Sequence, residues 1–243
     1  MLKKILSIAL CIAITFTLFA CSGNSAMSSN GSSSGGSNSS LRAQIENCTP
    51  LVDYSGNTIV EQMDTITFGL DENSNPIEWL VLEKNNNKAL LLSKFVLLSK
   101  GYHNEGDGTE TDIIWSDSDI RKYLNSELIN SIFSKKEQGL ILTTDVINND
   151  NVEYGTKGGN STKDKLFLLS IDEFNKYFKS EKQAKTTFSD GDTHSGDSDV
   201  WWLRSPGGRQ SSAATVRFGF LDTSGGSVNS VYNTVRPAMW VKY

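Results

Sequence analysis

Residues 201–208 put two indoles, a guanidinium and a chain-turning Pro-Gly into one short run, Trp201-Trp202-Leu203-Arg204-Ser205-Pro206-Gly207-Gly208. Successive side chains of a strand point to opposite faces. One indole is therefore expected in the core. The other is expected to face a loop-walled groove, where it would stack on a sugar ring or a partner's side chain. Arg204, and Arg236 in the later run VRPAMW, are charges inside apolar strand patterns. Each reads in one of two ways. It is a structural arginine held by a carboxylate or by backbone carbonyls, because an unpaired buried charge is costly. Or it is a ligand-facing guanidinium that forks onto a carboxylate or sulfate. Trp201, Trp202, Arg204 and the neighbouring Asp199 are the candidate ligand-binding residues; Trp115 and Trp240 read as core.

Other chemistry is poorly supported. Asp190, Asp192, Asp197 and Asp199 lie close enough in sequence to suggest Ca²⁺, but the register fails the twelve-residue calcium loop. Its fifth position from Asp190 is His194 and its twelfth is Trp201. The run reads as a solvated loop, and so does the cluster Glu105, Asp107, Glu110 and Asp112. His103 and His194 are the only histidines, both in polar loops, and neither H-E-x-x-H nor G-x-S-x-G occurs. Gly155 to Thr162 is glycine-rich but lacks the Gly-Lys-Ser/Thr ending of a phosphate loop. No metal, cofactor or catalytic residue is expected, although loop carboxylates leave an enzymatic reading open.

The chain starts with Lys3 and Lys4, then an uncharged apolar run from Ile5 to Phe19. That run is shorter than the roughly 20 residues of a membrane span, so residues 1–20 read as a signal peptide. It ends in Leu18-Phe19-Ala20-Cys21, which resembles the bacterial lipobox. The resemblance implies cleavage before Cys21 and a diacylglycerol on its sulfur; Phe19 is bulkier than the usual occupant. Ser22 to Ser40 is nearly all Ser, Gly and Asn and is expected to be a disordered tether. Residues 21–64 are read together as lipidated cysteine plus linker, with a short helix at Leu41–Asn47, and residues 65–243 as one domain. Cys48 alone remains for the body of the protein, so no internal disulfide is available. Net charge is −5, without a clustered basic stripe, which argues against nucleic acid as a partner.

The domain is expected to be α+β, with small antiparallel sheets and two or three short helices. Strands are predicted at 65–69, 77–83, 89–93, 140–147, 165–169, 200–204, 213–220, 227–231 and 235–241. The turn Asp222–Gly226 joins the hairpin, and Pro237 restricts the last strand to an edge or bulge. The apolar spacing of Ile120, Tyr123, Leu124, Leu128, Ile129, Ile132 and Phe133 predicts a helical region broken at Asn125-Ser126. Ser134/Glu137 and Ser170/Glu173 fit capping boxes, the second opening a helix over Ile171–Phe178. Lys179 to Asp199 reads as a long polar loop.

These motifs, in order ITFG, IEWLVLE, ALLLSK, IIWSDSDIRKYLN, KDKLFLLSIDEFNKYF, WWLRSPG and VRPAMW, resemble a family of exported or surface proteins of Gram-positive bacteria that carry a domain of unknown function. The resemblance covers about three quarters of the chain and implies no established activity. At fold level the strand order also resembles C-type-lectin-like domains, in which the two termini meet in one sheet. Together these readings lead to a lipid-anchored protein of the extracytoplasmic membrane face that binds a glycan or a surface protein. An envelope hydrolase using loop carboxylates and a structural envelope component are the alternatives.

Overall fold

The hairpin β2 (Pro76–Asn85) and β3 (Lys88–Ser93) is the centre of one sheet in the computed structural model. That structure describes residues 36–104, 111–189 and 199–243. The expected signal peptide, Cys21 and the first part of the expected tether lie outside the described residues. So do Glu105, Asp107, Glu110, Asp190, Asp192, His194 and Asp197. The hairpin turns through Asn86 and Asn87, both at positive φ, as a two-residue turn between right-twisted strands requires. β1 (Ile66–Leu70) pairs outside β2, and β11 (Ala238–Lys242) outside β3, giving an antiparallel order β1-β2-β3-β11. Trp79, Leu80, Val81 and Leu82 are all buried, so β2 is apolar on both faces, as its sequence predicts.

The folded unit begins earlier than the expected boundary at residue 65. Helix α1 (Gly36–Asn47) lies against β1 and buries Leu41 and Ile45. Cys48, Leu51, Val60 and Met63 join the same core, and burial raises the Cys48 thiol to about 11. The Gln44 amide accepts from Thr67 N–H at 2.7 Å and covers the outer edge of β1. Lys84 donates to the carbonyls of Ile45 and Cys48 at 3.1 and 2.7 Å, satisfying the end of α1. The polar surface residues of this segment hide a sparse apolar set that falls on one face, which is why it reads as linker from composition.

A second sheet holds β4 (Leu98–Ser99), β10 (Thr234–Val235), β7 (Val200–Pro206), β8 (Ser212–Arg217) and β9 (Phe220–Ser227), in the order β4-β10-β7-β8-β9. Only the β10–β7 pair is parallel among these. The β8–β9 turn is at Phe218-Gly219, with φ of 53° and 90°, and not at Asp222–Gly226. The DTSGG run lies inside β9 at a register shift. Gly225 is needed there for close approach: a Cβ would come 2.0 Å from the Ala213 carbonyl oxygen. Ser227 ends β9, and the strand expected over 227–231 is a turn. A third pair, β5 (Thr144–Val146) with β6 (Thr162–Asp164), replaces the longer strands expected at 140–147 and 165–169. Those runs meet β11 through single bridges, Ile141 to Val241 and Phe167 to Ala238. Pro237 sits where the chain leaves β10 and enters β11, that is, where it crosses from one sheet to the other.

The expected helix break at Asn125-Ser126 is instead a π-helical turn. α2 (Asp119–Tyr123) continues through Leu124–Leu128 into α3 (Ile129–Ile132). The widened turn lets the Asn125 amide bond the backbone of Lys165 and Leu166, as donor to one carbonyl and acceptor from two N–H groups. Both capping boxes form, at α4 (Lys135–Gln138) and α5 (Ile171–Tyr177). The run 179–189 is not an open loop: it contains α6 (Glu181–Ala184) and buries Ala184, Thr186 and Phe188.

If residues 36–64 belong to the domain, Ile45→Ala removes a fully buried side chain. Urea unfolding of that variant should show a loss of about 2–5 kcal/mol. A loss near zero would return α1 to the linker.

Candidate functional site

β7 carries the motif that the sequence singles out, and every one of its residues is buried. Trp202 donates its indole N–H to the Lys100 carbonyl at 2.8 Å and meets Tyr102 edge-on at 5.7 Å. Trp201 packs between Phe174 and Phe178 of α5 and its C-cap, with ring centroids 6.0 and 6.1 Å away. Both indoles have zero exposure. The expected groove-facing tryptophan is therefore not there. Alternation places the indoles on opposite faces, but β7 lies between β10 and β8 with protein over both faces, so neither face is open.

Arg204 takes the structural alternative. It is buried and ion-paired with Glu173. It donates to the carbonyls of Leu168 at 2.7 Å and Ile147 at 3.0 Å, and to Asn148 Oδ1 at 3.2 Å. Glu173 Oε2 also accepts from Ser170 N–H at 2.9 Å, closing the capping box of α5. One guanidinium thus joins β7, the start of α5, and the segments at 147–148 and 165–169. Its donors are used within the chain and do not face a ligand.

Arg236 sits at the crossover between the sheets with zero exposure. It donates to the carbonyls of Ser93 at 2.8 Å, Lys94 at 3.0 Å and Ala184 at 3.2 Å. The face of Trp201 stands 5.0 Å from its guanidinium carbon. No carboxylate of the described residues pairs with it. Burial pulls its pKa down to about 9, still above neutrality, so it is a cation held by carbonyl dipoles and a ring. Asp164 is the third buried charge of this kind: it accepts from Trp115 Nε1 at 3.0 Å, Arg121 Nε at 2.7 Å and Thr162 Oγ1 at 2.6 Å.

Of the candidate ligand-binding set, Asp199 alone reaches accessible surface. It lines a pocket of about 120 Å³ with Glu61, Lys182 and Lys185. Its carbonyl accepts from Phe218 N–H at 2.9 Å, which ties the β8–β9 turn to the pocket wall. That turn and the start of β9 present exposed aromatic rings that sequence reasoning missed: Phe218 is 46% exposed and Phe220 62%. Phe218 is also the one aromatic at positive φ among the described residues; the other non-glycines are Ser74, Asn86 and Asn87. A bulky residue is disfavoured there. The signal available in the sequence was Phe218-Gly219, a turn pair masked by the stronger-looking DTSGG. His103 is nearly buried, with Nδ1 2.9 Å from Asp119 Oδ2 at the start of α2. Among the described residues no group of His, Cys, Asp and Glu could hold a metal ion.

An architectural Arg204 predicts a stability phenotype. Arg204→Met strands Glu173 and two carbonyls and should cost about 3–5 kcal/mol in urea unfolding. Glu173→Gln, which keeps a neutral acceptor, should cost about 1–2 kcal/mol. Unchanged stability in Arg204→Met would reinstate the ligand-facing reading.

No curated protein and no solved structure matches the chain. A family model does: the domain of unknown function DUF6273 matches residues 86–243, which include β3, both capping boxes, WWLRSPG and VRPAMW. The architecture around Arg204 and Arg236 lies within that stretch, and the chain belongs to the DUF6273 family.

Proposed function

We propose that this chain is a lipoprotein of the extracytoplasmic face of a bacterial cell membrane, whose folded domain is a binding module for a glycan or a surface protein. The N-terminal run, the Leu18-Phe19-Ala20-Cys21 sequence and the Ser/Gly/Asn-rich stretch up to α1 support the anchor at Cys21. Two acyl chains on that cysteine supply stable attachment, at about 0.8 kcal/mol per buried CH₂. Among the described residues no helix is long and apolar enough to cross a membrane, so attachment falls to the segment before them.

The observation that carries the binding reading is Phe218. An exposed phenylalanine held at positive φ costs roughly 1–3 kcal/mol, and such strain concentrates at sites of function. Phe218 is joined to Asp199 of this pocket by its backbone N–H, Phe220 follows it at the start of β9, and the pocket's carboxylates and lysines supply both acceptors and donors. Exposed apolar rings on a turn bonded to a mixed polar pocket suit a sugar, which offers an apolar face and a hydroxyl edge. The likeness to C-type-lectin-like domains belongs to this reading: β11 joins β1–β3 in one sheet, bringing the end of the chain to its first strands. Glu61 and Asp199 on one pocket wall keep a carboxylate-dependent hydrolase as the second reading.

Cys21→Ala should move the protein from the membrane fraction to the medium and abolish its acyl mass; retention in the membrane would mean an uncleaved apolar anchor. Phe218→Asn should raise stability by about 1 kcal/mol, because Asn tolerates the turn. The same variant should weaken binding to the best hit of an array of host and cell-wall glycans. If the array and pull-downs from the bacterial surface yield no partner, the binding-module reading falls.

A further inference from the structure

A second pocket, of about 390 Å³, opens at the opposite end of the first sheet's central hairpin, where Asn86, Asn87 and Lys88 meet Leu140, Leu142, Lys242 and Tyr243. Its frame is fixed by backbone. Lys242 N–H donates to the Leu140 carbonyl at 3.0 Å and Leu142 N–H to the Trp240 carbonyl at 2.8 Å. Tyr243 N–H donates to the Asn87 carbonyl at 3.1 Å, so the segment 140–142, β11 and the β2–β3 turn move as one. Its volume falls in the range of small-molecule sites.

Lys88 and Lys242 are directly opposite each other in the β3–β11 register. Like charges so placed repel and weaken the pair. Neither is in an ion pair or hydrogen bond with a described residue, and the side-chain amides of Asn86 and Asn87 are likewise without partners. Lys84, on the same hairpin, is by contrast bound to three carbonyls. The pocket thus offers two unpaired ammonium groups and two amides that can both donate and accept, with Leu140, Leu142 and the Tyr243 ring as its apolar wall. Two mobile ammonium groups hold a rounded, multi-oxygen anion; a planar carboxylate is better matched by an arginine fork. Lys165 Nζ donates to the Gln138 carbonyl at 3.0 Å, two residues before Leu140.

We propose that this pocket binds an organic phosphate, its phosphoryl group between Lys88 and Lys242 and its apolar body against Leu140, Leu142 and Tyr243. The anion removes the repulsion across the β3–β11 pair, so binding also stabilises the sheet. The site is separate from the Asp199 pocket and does not depend on what that pocket binds.

Calorimetric titration of the full chain tests it with four probes: phenyl phosphate, inorganic phosphate, phenol, and vesicles containing phosphatidic acid. Phenyl phosphate should bind about tenfold tighter than inorganic phosphate or phenol, because it alone uses both walls. Added salt should weaken it. The double variant Lys88→Gln/Lys242→Gln should lose about tenfold or more in affinity while melting no lower than wild type, since the like-charge pair is gone. Lysine-dependent binding of vesicles without binding of phenyl phosphate would identify a lipid headgroup as the source of the phosphate. Binding of neither probe, or binding that the double variant retains, overturns the proposal. Unfolding of the double variant would be met by Lys242→Arg, which keeps the charge and should keep the affinity.

Discussion

A guanidinium with no exposure, and no carboxylate partner among the described residues, holds the two main sheets together. Arg236 lies one residue before the proline at which the chain passes from β10 to β11. Ser93 ends β3 in the first sheet, Lys94 follows it, and Ala184 ends α6; the carbonyls of all three accept from Arg236. Trp201 of the second sheet covers the cation. The cost of desolvating the charge is offset only if all these groups stay in place. Each element is thus fixed relative to the others by a shared requirement, and the crossover cannot slide without leaving a charge or several carbonyls unpaired.

Arg204 repeats the device one layer away, with Glu173 as counter-ion, and Asp164 does so with the sign reversed. Arg204 joins segments 147–148 and 165–169 to β7, Asp164 ties Trp115 and α2 to β6, and the neutral Asn125 amide ties the π-helical turn to Leu166. This explains how a domain with short strands and four-residue helices builds a continuous core. It also explains why WWLRSPG and VRPAMW, which lie within the stretch that matches the family, carry arginines in buried segments. WWLRSPG and VRPAMW are a matched pair, in which the indole of one lies on the guanidinium of the other.

Much of this was legible in the residues. The β2–β3 hairpin, both capping boxes and the apolar face of α2–α3 follow from local periodicity and cap chemistry, which act over a few residues. The structural reading of Arg204 was visible because an arginine in an apolar strand must find partners, yet Glu173 as the partner was not, since the pair spans the fold. The indoles were misjudged because alternation says which faces they take and not whether a face is covered. DTSGG looked like the turn because glycine signals both turns and close backbone approach; at Gly225 the second reason holds. α1 was hidden by its polar surface. The exposed Phe218 had no signal beyond the glycine after it.

The surface follows from this division of labour. With the aromatic and charged residues of β7 used internally, the proposed binding is assigned to exposed features instead: the turn at Phe218 next to Asp199 at one place, the opposed lysines at another. Both are features that a fold optimised for stability alone would not keep. The central claim, that Arg236 is the joint between the sheets, is tested most directly by equilibrium unfolding of Arg236→Lys and Arg236→Met. Lysine cannot reach three carbonyls in a fork and methionine takes away every donor Arg236 supplies, so both variants should lose about 3 kcal/mol or more, or fail to fold cooperatively. A cooperative transition within about 1 kcal/mol of wild type in either variant would contradict it.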